Sequence, residues 1–261
     1  VADRHDDGQK TILGKTGNYD GDDVLKMLTD SPAVAKYIAR KVWEWFVYKN
    51  PSDAIVDDFS RRFVASGMDI KELVRAIAKS DEFYSERALR RQIKNPIDFC
   101  VATYRSLGLG SVVLDRISKA QDDQTRRRFA SFMNNVVQKT TAMGMELMYP
   151  PDVDGWVSGE EWISTATMVE RIKWADIFFA QQNRVVAELV GQKLPPAGAA
   201  PKALVDRLVS VFDAQLPADK MQTLYESAIR ISGGKVSAQN ILPVMQGVTR
   251  LIFGSPEFQF C

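Results

Sequence analysis

Apolar residues along the chain recur three and four positions apart, the period of a helix that buries one face. After Pro32, placed as in a first helical turn, Val34, Ile38, Val42 and Trp45 fall on one face, and Trp43, Phe46 and Tyr48 widen the apolar arc. That breadth predicts a central helix. Val56, Phe59, Phe63 and Val64 predict the next, stopped by Gly67. Asp69 and Glu72 have the spacing of a capping box, with Ile70, Leu73, Val74 and Ile77 as the stripe behind it. Asn95-Pro96 opens a helix carrying Ile97, Cys100, Val101 and Tyr104 and ending at Gly108. A short segment at Val113, Leu114 and Ile117 precedes a long helix with Phe129, Phe132, Met133, Val136, Val137, Thr140 and Met143 inward.

Tyr149-Pro150-Pro151-Asp152-Val153-Asp154-Gly155-Trp156 cannot be helical, because two prolines and a glycine break the ladder. Helix resumes after Ser164 with Met168, Ile172, Ala175 and Phe179. Three further stripes follow: Leu204, Leu208 and Val211; Met221, Leu224, Ala228 and Ile231; Ile241, Met245, Val248 and Ile252. Lys10–Leu13 is the one candidate strand. The expected fold is therefore all-α, an irregular multi-helix bundle with a rigid Pro/Gly/Trp loop. The expected organisation is a helical core over 1–190 with an acidic N-terminal loop, a linker over 191–201 rich in Pro, Gly and Ala, and helices over 202–261 packing on the same core. Arg75–Phe83 and Arg250–Phe258 echo each other, each ending a helix with Ser-x-Glu-Phe. A duplicated motif and a shared stop signal are both open readings.

Composition narrows the function classes. Lys+Arg is 34 against Asp+Glu 33 in 261 residues, so bulk charge does not predict nucleic-acid or anionic-membrane binding. No run approaches a membrane span. The start lacks a basic region followed by an apolar one, so no signal peptide is expected in these residues. Two cysteines make no disulfide framework; Cys100 reads as core, and Cys261 lacks the following residues of a prenylation box. A single histidine excludes multi-histidine metal sites. Neither a Gly-x-Ser-x-Gly elbow nor a phosphate loop is present.

Three groups can carry chemistry. His5, Asp6 and Asp7, with Asp3, Asp20, Asp22 and Asp23 nearby, offer carboxylates and an imidazole to a divalent metal, the one cofactor the chain suggests. Asn18-x-Asp20-x-Asp22 begins like a calcium loop, but Asp23 stands where glycine is needed and Thr29 where the bidentate carboxylate belongs. In the plain alternative, Asp22 or Asp23 caps the next helix and the rest are solvated. Trp156 and Trp162, with Asp152 and Asp154, can form a sugar-binding shelf or a plug that closes the helix ends. Arg171, downstream of that loop, can clamp a carboxylate of the protein or of a ligand. Arg87, Arg90, Arg91, Lys94 and Arg126–Arg128 read as solvated faces.

An ordered set of motifs resembles the bacterial family called domain of unknown function 1800. It comprises His5-Asp6-Asp7-Gly8-x-Lys10-x-x-Leu13-Gly14, Gly21-Asp22-Asp23-Val24-Leu25, Ser31-Pro32-Ala33, Ser66-Gly67-Met68-Asp69-Ile70, Ser80-Asp81-Glu82-Phe83-Tyr84, Lys94-Asn95-Pro96-Ile97-Asp98-Phe99 and Ser255-Pro256-Glu257-Phe258-Gln259. Most specific is Pro150-Pro151-x-Val153-x-Gly155-Trp156-x-x-Gly159-x-x-Trp162-Ile163, followed by Arg171. The resemblance implies an exported, periplasmic or cell-surface protein. It also implies a longer family domain of which this is the C-terminal half, and a candidate partner from domain of unknown function family 1501. It carries over no catalytic residue. The expected function is a non-catalytic binding or scaffold module that contacts a protein or polysaccharide, without nucleic acid or a membrane span. The alternative is a metal-dependent hydrolase with a site near His5 and Asp6, completed by further sequence.

Overall fold

The computed structural model describes residues 6–180, 186 and 198–261. It is all-α apart from one small hairpin, as the periodicity requires. The chain divides into two compact units, Val1–Gln92 and Ile93–Cys261, a boundary inside the 1–190 segment. Most of the 191–201 linker lies outside the described residues.

The first unit opens with strands β1 (Lys10–Ile12) and β2 (Lys15–Gly17), paired antiparallel with Thr11 opposite Thr16. The candidate strand is thus real but needs a partner. Leu13 and Gly14 both take positive φ, the pattern of a tight two-residue hairpin turn. Helices α1 (Gly21–Thr29), α2 (Pro32–Phe46), α3 (Asp53–Ala65) and α4 (Ile70–Ala78) follow. Asp20, rather than Asp22 or Asp23, is the N-cap of α1. Its carboxylate accepts from the Asp23 amide at 2.9 Å, and the Asp23 carboxylate accepts from the Asp20 amide at 3.1 Å. At α4 Asp69 caps as expected, but Glu72 turns to Arg75 and leaves the box half-made.

The inward face of α2 differs from the sequence reading. Ala35, Ala39 and Trp43 are buried, whereas Trp45 is 71% exposed and Phe46 is also exposed. The two alanines admit close approach, and Trp43 fills the space beyond them, in edge and tilted contact with Tyr48 and Phe59 at 5.5 and 5.1 Å. With Phe63, Leu73 and Ile77 these residues form the first core. Nothing among the described residues accepts the buried Trp43 N–H.

The second unit contains α5 (Pro96–Ser106), α6 (Leu109–Lys119), α7 (Asp123–Ala142), α8 (Thr165–Phe178), α9 (Pro201–Val211), α10 (Ala218–Ser232) and α11 (Ile241–Gly254). Asn95 caps α5 through the Asp98 amide at 2.9 Å, and Ser164 caps α8 reciprocally with Thr167. The core is aromatic. Tyr104, Phe132, Trp174, Phe178 and Phe179 make one chain of ring contacts, and Phe99, Phe212, Phe253 and Phe258 continue it. The polar tips of these rings are spent locally: Tyr104 donates to the Phe132 carbonyl at 2.7 Å, and the Trp174 indole to Thr103 Oγ1 at 2.9 Å. Helices α9–α11 share this core with α5–α8. Among the described residues no single helix is long and apolar enough to cross a membrane.

The echo has a physical basis. Ser80 and Ser255 each donate to the carbonyl three residues back, at 2.7 and 2.8 Å, and each accepts from the phenylalanine amide three residues on, at 3.4 Å. Each thereby ends an α-helix and starts a 3-10 turn, Asp81–Tyr84 or Glu257–Gln259, that brings its phenylalanine back towards the core of its own unit.

Burial pushes the Cys100 thiol from 9.0 up to about 12. It raises the Tyr104 phenol as well. Tyr48 goes from 10.0 up to about 12, through burial and then its 2.7 Å bond to Glu82. A raised acid pKa keeps the proton on the folded chain while the unfolded chain releases it. The associated stability is therefore complete below about pH 9 and falls as pH climbs towards 12. The urea midpoint should be flat from about pH 7 to 8.5 and then decline. Cys100→Ala should lower the whole curve but flatten its first part, about pH 9 to 10, where only the thiol of the unfolded chain titrates. An unchanged onset in that variant would show that Cys100 plays no part.

Candidate functional site

The loop joining α7 to α8 holds Asp152, Asp154, Trp156 and Trp162, one of the three groups to which the sequence assigns chemistry. Helix α7 ends in a motif that sends the chain sharply away: the Met145 amide donates to the Thr140 carbonyl at 2.8 Å and the Gly144 amide to the Thr141 carbonyl at 2.9 Å, with Gly144 at φ 92°. Lys139 on α7 and Glu170 on α8 bridge the two helices at 2.9 Å. Hydrogen bonds from Lys139 and Lys173 hold the Glu170 carboxyl below its usual range. The loop therefore leaves and rejoins helices tied to each other.

Within the loop the two tryptophans have different surroundings. Trp162 is only 5% exposed, its ring beside Gly144, and its carbonyl accepts from Thr167 Oγ1 at 2.9 Å. It is an anchor. Trp156 is half-buried; its indole N–H is enclosed and has no partner among the described residues. Asp152 folds the tip, accepting from the Asp154 amide at 2.9 Å through its side chain and from the Gly155 amide at 3.2 Å through its carbonyl. Both aspartates are exposed. The sequence reading passed over what else this loop presents: Leu147, Tyr149, Val153 and Val157 are exposed, and Met148 is 83% exposed at a positive φ. The prolines marked a loop, but periodicity carries no information on which loop residues face water.

Arg171 is fully buried and, among the described residues, clamps no carboxylate. Its Nη1 donates to Gln259 Oε1 at 3.0 Å and its Nη2 to the Lys94 carbonyl at 2.8 Å. The guanidinium stacks over Phe99 at 4.8 Å, and Nε has no partner among the described residues. Burial lowers its pKa from 12.5 to about 10, so it stays charged at neutral pH. Lys94 donates from Nζ to the Phe258 carbonyl at 2.8 Å, and its amide bonds the Gln259 carbonyl at the same distance. These contacts assign Arg171 and Lys94 to the closure of the second unit; neither guanidinium partner belongs to the loop.

The acidic N-terminal group is partly described. Asp6 Oδ1 accepts from the Gly8 amide at 2.8 Å, and Lys10 Nζ reaches the carbonyls of Asp6 and Gly8. His5 and Asp3 lie outside the described residues. Among the described residues no three His, Cys, Asp or Glu side chains converge as a metal would need. A shallow groove of about 480 Å³ lies beside the hairpin and α1, but its Asp23 is spent on the cap and its Lys26 pairs with Asp30 at 3.2 Å. Of the basic clusters, Arg87 lies over the Tyr48 ring at 4.4 Å, and Arg126 bonds the Ala120 carbonyl at 2.9 Å.

Arg171→Ala should lower the unfolding free energy by about 2–5 kcal/mol, because each abandoned buried acceptor costs roughly 1–3 kcal/mol. Arg171→Lys should recover little of it, since one ammonium cannot span both oxygens. Urea unfolding followed by far-ultraviolet circular dichroism checks both. Trp156→Phe removes an enclosed N–H without a partner among the described residues together with part of the indole's packing area, so its melting temperature should stay within about 3 °C of wild type.

Comparison with curated proteins and with solved structures finds no match. A family model described as a protein of unknown function, domain of unknown function 1800, matches residues 1–260. Those residues contain the hairpin, both cores and the anchored proline–glycine–tryptophan loop, and the chain belongs to that family.

Proposed function

We propose that the protein is a non-catalytic binding or scaffold module that docks a protein partner through the loop between α7 and α8. The observation that carries this reading is the set of exposed apolar side chains, Leu147, Met148, Tyr149 and Val153, on a loop anchored by buried Trp162. Exposing this much apolar surface on a held segment is unfavourable unless something covers it. Loops fixed by rigid elements are where recognition residues gather. A polysaccharide is the weaker choice for this loop, because its exposed residues are mainly aliphatic and Trp162 is withdrawn from solvent. The family resemblance nominates a protein of domain of unknown function family 1501 as the partner, at the cell surface or in the periplasm. No observation among the described residues favours the hydrolase alternative.

The test is direct binding. The full chain is titrated against a purified family 1501 protein from the same genome, with a glycan array run in parallel. Leu147→Asp and Met148→Asp should each weaken protein binding at least tenfold, about 1.4 kcal/mol. Both should leave the melting temperature unchanged, because both side chains are exposed. Binding by wild type and both variants alike, or by none of them, removes the loop from the interface.

A further inference from the structure

The loop between α7 and α8 is one-sided in charge. No lysine or arginine occurs between Lys139 and Arg171, whereas Glu146, Asp152, Asp154, Glu160 and Glu161 fall in that span and are all exposed. None of these carboxylates is ion-paired among the described residues. The cations at the ends of the loop are engaged: Lys139 and Lys173 both bond Glu170, and Arg171 is buried on Gln259 and the Lys94 carbonyl. Charge and apolar side chains share two turns. The Tyr149 amide donates to the Glu146 carbonyl at 3.0 Å, which sets Leu147 and Met148 at the corners of the first. The Gly155 amide donates to the Asp152 carbonyl at 3.2 Å, which sets Val153 at a corner of the second, beside Asp154.

We propose that this loop docks a basic amphipathic segment of its protein partner, an apolar stripe edged by lysine or arginine. The inference rests on the docking reading above and adds the chemistry of the occupant. Leu147, Met148 and Val153 supply apolar contact, and methionine adapts its shape to the surface it meets. The carboxylates beside them attract an occupant with cationic edges and repel an anionic one. Nucleic acid, an anionic bilayer and a uronate polymer all carry the sign of the loop itself, and no lysine or arginine of the loop offsets it. A neutral sugar chain stacks on ring faces, and of the three rings here only Tyr149 is exposed, Trp162 being buried and Trp156 half-buried. A divalent cation alone needs converging ligands, and among the described residues no three side chains converge. A protein segment with an apolar stripe and basic edges satisfies both halves of the surface.

Fluorescence anisotropy with the full chain tests it, using three labelled synthetic peptides of equal length. One is an amphipathic helix of leucine and lysine, one its counterpart with glutamate for lysine, and one oligolysine. Wild type should bind the leucine–lysine helix about tenfold or more tighter than either control. The triple variant Glu146→Gln, Asp154→Asn, Glu161→Gln should bind that helix about tenfold more weakly and with less dependence on salt. The double variant Leu147→Ser, Met148→Ser should also lose about tenfold but keep the salt dependence of wild type. Melting temperatures should not move, because all five side chains are exposed. If the serine variant loses affinity while the charge-neutral variant keeps it, or the glutamate helix binds as well as the lysine helix, the basic occupant is overturned and the apolar docking reading stands. If neither variant loses affinity, or the leucine–lysine helix does not bind, this proposal fails, and titration of the family 1501 protein against Leu147→Asp decides the docking reading separately. Anionic vesicles or oligothymidylate bound by wild type and lost in the serine variant, or self-association lost in that variant, would each assign a different occupant and overturn the proposal.

Discussion

The second unit is organised around a positive charge buried in its interior. Arg171 gives up its hydration and receives two neutral oxygens and an aromatic face in exchange. That exchange is tolerable only if the oxygens are held in place. Gln259 is held because its amide donates to the carbonyls of Phe253 and Ser255 at 2.7 and 2.9 Å. The Lys94 carbonyl is held because Lys94 itself is bonded to Phe258 and Gln259. The arginine thus joins the entry to α5 to the turn after α11, and the aromatic core closes between them.

The same closure sets what the cysteine can do. Cys100 sits within reach of the Arg171 charge, which by itself favours a thiolate. Burial outweighs that attraction and carries the thiol towards about 12. The result is an inert core residue beside a cation, the reverse of a reactive cysteine, in which exposure and positive charge act together.

The loop between α7 and α8 follows a comparable division of labour. Its ends are fixed by backbone bonds, the Lys139–Glu170 pair and Trp162. Its tip is shaped by Asp152, whose Oδ1 and main-chain carbonyl accept from the Asp154 and Gly155 amides. Beside the exposed carboxylates of Asp152 and Asp154, the loop presents the exposed apolar set of Leu147, Met148, Tyr149 and Val153.

Local rules sufficed wherever the deciding atoms lie within a turn of one another. Helix positions, the caps at Asp69, Asn95 and Ser164, the break at Pro150-Pro151 and the serine-centred helix stops were legible because each is settled by backbone donors and acceptors a few residues apart. The family was legible for a related reason, since its motifs are ordered along the chain. Three matters were decided only by tertiary structure. A broad apolar arc on α2 could not say whether Trp43 or Trp45 faces inward; the close approach allowed by Ala35 and Ala39 chose Trp43. Two tryptophans six residues apart look alike in sequence, yet one is buried beside Gly144 and the other is not. Arg171 finds partners 77 and 88 residues away, and no periodicity reports a contact that only chain closure creates.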